Sequence, residues 1–327
     1  MIKVSVLTAV FNAEKYIAEC LDSLLAQSLS DFEVICVDDA STDKTPQILQ
    51  EYSEKDQRVV YLRLKENGGQ AKARNMALRQ AKGEYICMLD ADDWMSPDAL
   101  QSAYDIFLSH PETDSVLFQV CEVFVNKHRI YPMPDFQVLS GQEAFEKSLT
   151  WEIHGLYMIR ASIHQHFPYD DTSKSYSDDN TTRMHYLQSR EVRQCHGIYY
   201  YRQHNESVTH RVSVRRFDYL RANESMRRQM IEAQVETRLL ALYEKVRWLN
   251  LIDVYLFYYK NRRQLVEDDR KYGINEIRRV WNDIDLSCLP RRLKWKFGYM
   301  PLRPSWLLFR LQEETYFFLR SLFGKNK

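Results

Sequence analysis

Strand and helix patterns alternate with short connections over the first hundred residues, and this rhythm limits the fold more than any other feature. Apolar runs at residues 4–10, 32–37, 59–64 and 86–89 read as buried strands. Between them apolar residues recur at helical spacing, first at Ile17, Cys20, Leu21, Leu24 and Leu25. The next sets are Ile48, Leu49 and Tyr52, then Ala73, Met76, Ala77 and Ala81. Thr45-Pro46 and Ser96-Pro97 set a capping side chain before proline, which predicts a helix start at each. Such alternation specifies an α/β fold with a mostly parallel central sheet flanked by helices on both faces. Right-handed crossovers then bring the carboxyl ends of the strands to one edge, where open α/β sheets bind ligands.

The residues at those strand ends are rich in acid. Asp38 and Asp39 follow the second strand, and Asp90, Asp92 and Asp93 follow the fourth. Three carboxylates within four positions repel one another and resist desolvation unless a positive charge shares the site. Asp90 and Asp92 point the same way on a nearly extended backbone. Oxygen ligands so placed suit Mg²⁺ or Mn²⁺, which in turn binds phosphates. Taken alone, each feature also has a plainer reading. The acidic run could be a solvated turn, Asp38 with Ser41 and Asp43 an Asx-turn, and Arg74 an exposed residue on an Ala-rich helix. Asn67-Gly68-Gly69 reads as a turn that needs positive φ.

Composition narrows the class. The 327 residues are 45% hydrophobic, enough for a full core and about two domains. Formal net charge is zero, so no global field points to nucleic acid. Six cysteines are scattered without pairing or metal-ligand spacing, which suits reduced, buried thiols in a cytoplasmic protein. The chain starts on a strand pattern with no signal-peptide pattern, and no apolar run nears the roughly 20 residues of a membrane span.

Beyond residue 110 the pattern is less regular. Residues 116–125 read as one long strand that residues 129–131 could pair with, and Ser140 with Glu143 forms a capping box. Ser177-Asp178-Asp179-Asn180 precedes a helical pattern, where acids also serve as N-terminal caps. From about residue 212 the chain reads as helical, with Gly273 the one interruption before Pro290. Near the end, Arg291, Arg292, Lys294 and Lys296 flank Trp295 ahead of a long aromatic-aliphatic run. That composition suits a helix lying in an anionic membrane surface, with packing on the protein itself or on a second subunit as the alternatives. Arg310, Glu313, Glu314 and Arg320 argue against a span.

The chain resembles the inverting glycosyltransferases of family 2, with the GT-A nucleotide-diphospho-sugar fold, of the bacterial surface-polysaccharide type. The resemblance rests on residues 4–12, on Val37-Asp38-Asp39-Ala40-Ser41-Thr42-Asp43, on Asn67-Gly68-Gly69 through Ala73-Arg74-Asn75, and on Leu89-Asp90-Ala91-Asp92-Asp93. It covers about residues 1–110 and continues more thinly to about 210. Ala9 stands where the family usually has proline, and Phe11 where it often has tyrosine. The resemblance implies a nucleotide site at Thr8, Val10, Phe11, Asp39, Arg74, Asp90 and Ala91, with Asp39 accepting from the base, commonly uracil, and Arg74 neutralising the diphosphate. It implies a divalent cation, Mn²⁺ or Mg²⁺, on Asp92, with His204 as a further ligand and His210 its alternative. Asp179 matches the general base, with Asp178 and His154 on the acceptor side; for His154 the residues favour a structural role.

The domains expected are 1–211, catalytic, with a nucleotide half at 1–110 and an acceptor half at 111–211, and a helical region at 212–327. The expected partners are a nucleotide-sugar donor and a saccharide or lipid-linked saccharide acceptor. Nucleic acid is not expected, and the 291–323 tail is expected to meet the inner face of the cytoplasmic membrane or a homo-oligomeric partner. Two other readings stand beside this one. In a Mg²⁺-binding switch module the third strand would carry a phosphoacceptor, and residues 59–64 contain no acid. A degenerate transferase would not need Asp90, Asp92 and Asp179 all present.

Overall fold

The computed structural model describes residues 1–172, 176–204 and 212–324. They fall into two compact units, Met1–Ser207 and Val208–Lys327. The first unit begins β1 (Val4–Val10), α1 (Ile17–Leu25), β2 (Phe32–Asp38), α2 (Thr45–Lys55), β3 (Val59–Arg63), α3 (Gln70–Gln80) and β4 (Tyr85–Met88). Next come β5 (Trp94–Met95), α4 (Ala99–Ser109), β6 (Thr113–Phe124), β7 (Lys127–Ile130), β8 (Leu139–Ser140) and α5 (Gly141–Leu149). It ends with β9 (Tyr157–Arg160), α6 (Ala161–His166), α7 (Ser177–Gln188) and β10 (Glu191–Arg202).

One ten-stranded sheet runs in the order β3-β2-β1-β4-β9-β6-β10-β5, with β7 and β8 added at β6 and β10. The first four strands are parallel, as the alternation requires. Every residue of β2 is buried, the pattern of a strand covered on both faces. Val10 pairs with Asp38, and Leu7 with Met88, so Asp38-Asp39 and the Asp90–Asp93 run leave the sheet at one edge. β9 lies antiparallel between β4 and β6.

Local expectations mostly hold, with two corrections at helix starts. Ser140 and Glu143 form both halves of the capping box. At α2, however, the Asp43 carboxylate accepts from the Thr45 N–H, while the buried Thr45 hydroxyl accepts from Ala13 N–H. The Asp43 carboxylate, two residues upstream, reaches the free amide, and the Thr45 hydroxyl ties α2 to the loop after β1. The Ser96-Pro97 pair is displaced from its helix start. Ser96 lies beyond β5 and donates to Asp98, and α4 starts only at Ala99.

The second unit is helical: α8 (Asp218–Glu232), α9 (Thr237–Asn261), α10 (Glu267–Asp283), the short α11 (Arg291–Lys294) and α12 (Trp306–Leu322). Trp248, Tyr255, Trp281, Phe309 and Phe317 build its core. Both indole N–H groups find carbonyls, Trp248 on Tyr299 at 3.0 Å and Trp281 on Pro301 at 2.8 Å. Gly273 does not interrupt a helix. It sits within α10, and a Cβ there would come within 2.2 Å of the Phe217 ring. Five cysteines are buried and Cys288 is half-buried, all as free thiols.

Candidate active site

Two loops at the sheet edge are sewn together first. Asn12 N–H donates to Ser41 Oγ at 2.9 Å, and Thr42 N–H returns to Asn12 Oδ1 at 2.8 Å. Asn12 and Ala40 hold positive φ, at 50° and 60°, where non-glycine residues are uncommon. Asp38 is fully buried and structural. It accepts from Ser41 N–H at 2.9 Å and ion-pairs with Arg63 at 3.2 Å.

Asp39 holds the glycine turn from across the loop. Its two oxygens accept from Gly68 N–H at 2.7 Å and Gly69 N–H at 2.9 Å. Each carboxylate oxygen has a second acceptor site to offer a ligand. The side chains of Thr8 and Val10 are buried. Val10 also gives its carbonyl to Asp39 N–H at 2.8 Å. Phe11, next in the chain, is exposed.

Arg74 is not on an exposed helix face. The whole residue is buried, and its Nη2 donates to Asp90 Oδ1 at 2.6 Å. Nη1 lies 3.6 Å from Asp178 Oδ2, and the guanidinium stacks 5.3 Å from the Tyr169 ring centre. Burial opposes its charge, but Asp90 and then Asp178 hold it firmly protonated. A buried, ion-paired Arg74 therefore acts on these carboxylates, which corrects the expectation of a free diphosphate contact. Burial leaves the Asp90 pKa raised, and Arg74 offsets only part of that rise. Gln70 adds a second donor to Asp90 at 3.2 Å.

Asp92 and His204 meet across 112 residues of sequence, with Asp92 Oδ2 2.8 Å from His204 Nε2. Both are partly exposed, and Tyr16 packs on the imidazole at 5.1 Å between ring centres. Ala91, between the acids, is buried. His210 lies outside the described residues. Among the described residues no group of three His, Cys, Asp or Glu side chains is placed to hold a metal ion.

Asp178 and Asp179 occupy the first turn of α7, after Tyr176 at a left-handed φ of 64°. Asp179 is thus brought to the same edge as Asp90 through the Arg74–Asp178 contact. His154 is not an acceptor contact. It is buried, its Nδ1 accepts from Leu156 N–H at 3.2 Å, and its carbonyl accepts from Tyr186 at 2.6 Å. Burial lowers its pKa to about 4, so the ring is neutral.

Four further side chains complete the arrangement. Tyr199 OH donates to Asp93 Oδ2 at 2.9 Å and accepts from Asp90 N–H at 3.1 Å. Burial, then Asp90 and Asp92, push the Asp93 pKa well up. Arg202 donates from Nε to the Asp92 carbonyl at 2.8 Å and lies 4.4 Å from the Trp94 ring centre. Asn75 exchanges two hydrogen bonds with the Tyr169 backbone, at 2.9 and 2.8 Å. Asp93 and Asn75 stand within motifs already quoted, but nothing in the sequence gave them these partners, and Tyr199 carried no signal of its own.

The family model described as "Glycosyl transferase family 2" matches residues 5–169. A poly(ribitol-phosphate) beta-glucosyltransferase of Bacillus spizizenii is 42% identical over 118 residues, 35% of this chain and 18% of that protein. The poly(ribitol-phosphate) beta-N-acetylglucosaminyltransferase TarS of Staphylococcus aureus is 39% identical over 122 residues, 37% of this chain and 21% of that protein. The matched stretch is thus about a fifth of either relative's length. A crystal structure of S. aureus TarS residues 1–349 in complex with UDP-GlcNAc superposes with a TM-score of 0.72. It covers 99% of this chain and 93% of that one at 21% identity, a likeness of fold.

Proposed function

The chain belongs to glycosyl transferase family 2, and on that premise we propose that it moves a sugar from a UDP-sugar to a hydroxyl of a cell-envelope polymer in one inverting step. The observation that carries this reading is the Arg74 guanidinium, 2.6 Å from Asp90 and 3.6 Å from Asp178. One buried cation thereby joins the donor-side carboxylates to the turn that bears Asp179. Relatives that act on poly(ribitol-phosphate), and the UDP-GlcNAc complex of TarS, support the polymer acceptor and the UDP donor.

In this mechanism Asp39 accepts from the base and Phe11 lies along it. Asp92 and His204 fit a divalent cation. Their ligand atoms are 2.8 Å apart, near the spacing of neighbouring positions around an ion with bonds of about 2.1 Å. A pair of protein ligands suits Mg²⁺ or Mn²⁺, which keep waters and substrate phosphates in the other positions. Such an ion, when bound, supplies positive charge opposite the leaving diphosphate. Arg74 keeps Asp90 and Asp178 in place, and Asp179 takes the acceptor proton as the hydroxyl attacks the face away from the diphosphate.

Asp179→Asn tests this. General-base assistance is worth about 10²–10⁴ in rate, so turnover should fall by that factor while UDP-sugar binding stays near the parent's. NMR of the product should show an anomeric configuration opposite to the donor's. Retention of configuration, or near-parental turnover in the variant, overturns the mechanism. A thermal-shift panel of UDP-, GDP- and dTDP-sugars with and without Mn²⁺ should single out UDP with the metal.

A further inference from the structure

We propose that the outer face of α12, together with the basic segment ahead of it, is a docking surface for an anionic lipid bilayer. α12 is apolar on two opposite sides. Phe309 and Phe317 face inward and belong to the core of the C-terminal unit. On the other side Leu307, Leu311, Phe318 and Leu322 are 76, 65, 53 and 65% exposed. At 3.6 residues per turn these four, with Leu308 and Leu319, fall within an arc of roughly 120°. Thr315 is the only other residue in that arc, and none in it is charged. A bare apolar strip of this length on a folded surface marks an interaction site.

Charge identifies what it meets. Residues 291–312 contain six basic residues and no acid. Arg291, Arg292 and Lys296 are exposed, and Trp295 between them is 81% exposed. This segment is pinned to the flank of α12. Gly298, at φ 78°, lies so close to the Tyr316 ring that a Cβ would fall 2.2 Å from it. Phe297 packs edge-on to the same ring, with centroids 5.8 Å apart. The basic and apolar surfaces therefore act together.

That combination is the signature of a helix lying in the interface plane, with tryptophan at headgroup depth and basic side chains on anionic headgroups. No helix among the described residues is long and apolar enough to cross a membrane. The same face of a second copy carries no acid to meet these basic residues, which disfavours that occupant.

The test is flotation of the full chain with phosphatidylcholine vesicles, with and without phosphatidylglycerol. The parent should float with the anionic vesicles and lose about tenfold or more in binding to neutral ones or at high salt. Leu311→Ser/Phe318→Ser/Leu322→Ser, all at exposed positions, should stay at the bottom of the gradient. It should keep the parent's melting temperature and UDP-induced thermal shift. Arg291→Gln/Arg292→Gln/Lys296→Gln should lose the preference for anionic vesicles. A parent that does not float, or a Leu/Phe variant that floats as the parent does, overturns the proposal. So does a parent dimer that this variant dissociates while neither form floats, which would assign the face to a second copy. Donor binding is read independently of all these outcomes.

Discussion

Asp93 lies in the same short run as Asp90 and Asp92, yet its carboxylate turns into the protein and ties β10 to the end of β4. Asp90 is held by Arg74, and Asp92 is left to His204. The spacing of Asp90 and Asp92 was legible in the sequence because alternation on an extended backbone depends on nearest neighbours alone. The fate of Asp93 was not, because its partners Tyr199 and Arg202 come more than a hundred residues later. Arg74 stayed open between two readings for the same reason, since its burial is decided by Tyr169 and Asp178. Tyr199→Phe keeps the ring and removes the hydroxyl, leaving a buried carboxyl one partner short. We expect a loss of about 1–3 kcal/mol in unfolding free energy, read from the urea midpoint. An unchanged midpoint would show that this hydrogen bond adds nothing to the join.

Among the elements, α3 does the most to assemble the site. Its buried side carries Arg74, between Asp90 and Asp178, and its next residue, Asn75, clamps the backbone of Tyr169 in the loop that leads to α7. The sequence marked α3 as a helix packed on a sheet but could not show that it also holds a loop 94 residues away. For β9 the sequence allowed a strand somewhere in residues 151–160 but hid its bounds and its place in the sheet. Its four residues slip antiparallel between β4 and β6, and so short a strand carries little periodicity of its own. Asn75→Ala removes both clamping hydrogen bonds without touching the donor-side acids. The acidic turn of α7 should then lose its fixed position, and turnover should fall roughly ten- to a hundredfold. UDP affinity, measured separately by calorimetry, should stay near the parent's. Equal losses in turnover and affinity would show that α3 supports the site only as general packing.

Across the whole molecule the two units were legible to different depths. Strand–helix alternation specifies both elements and their order, whereas a run of helices rich in aromatic residues leaves the buried faces undetermined. α12 shows this best, since it is apolar on opposite sides and its Glu313, read from sequence as a charge opposing a span, is turned inward. Glu313 is fully buried, accepts from Gln312 at 2.9 Å on one oxygen, and has no hydrogen-bond partner on the other. Burial raises its pKa from 4.5 to about 8. Between those pH values the folded chain keeps a proton that the unfolded chain has released. The favourable contribution is therefore complete below the lower value and is lost as pH rises through the upper one. Stability of the C-terminal unit should decline across this window by up to about 1.4 kcal/mol per pH unit. Glu313→Gln carries no titrating proton and should flatten that slope, matching the parent near pH 4.5 and exceeding its stability above pH 8. Urea unfolding followed through the buried Trp248 and Trp281 at a series of pH values measures both slopes. Parallel slopes in the two proteins would mean that Glu313 is ionised in the folded unit, with its charge met by a group outside the contacts described.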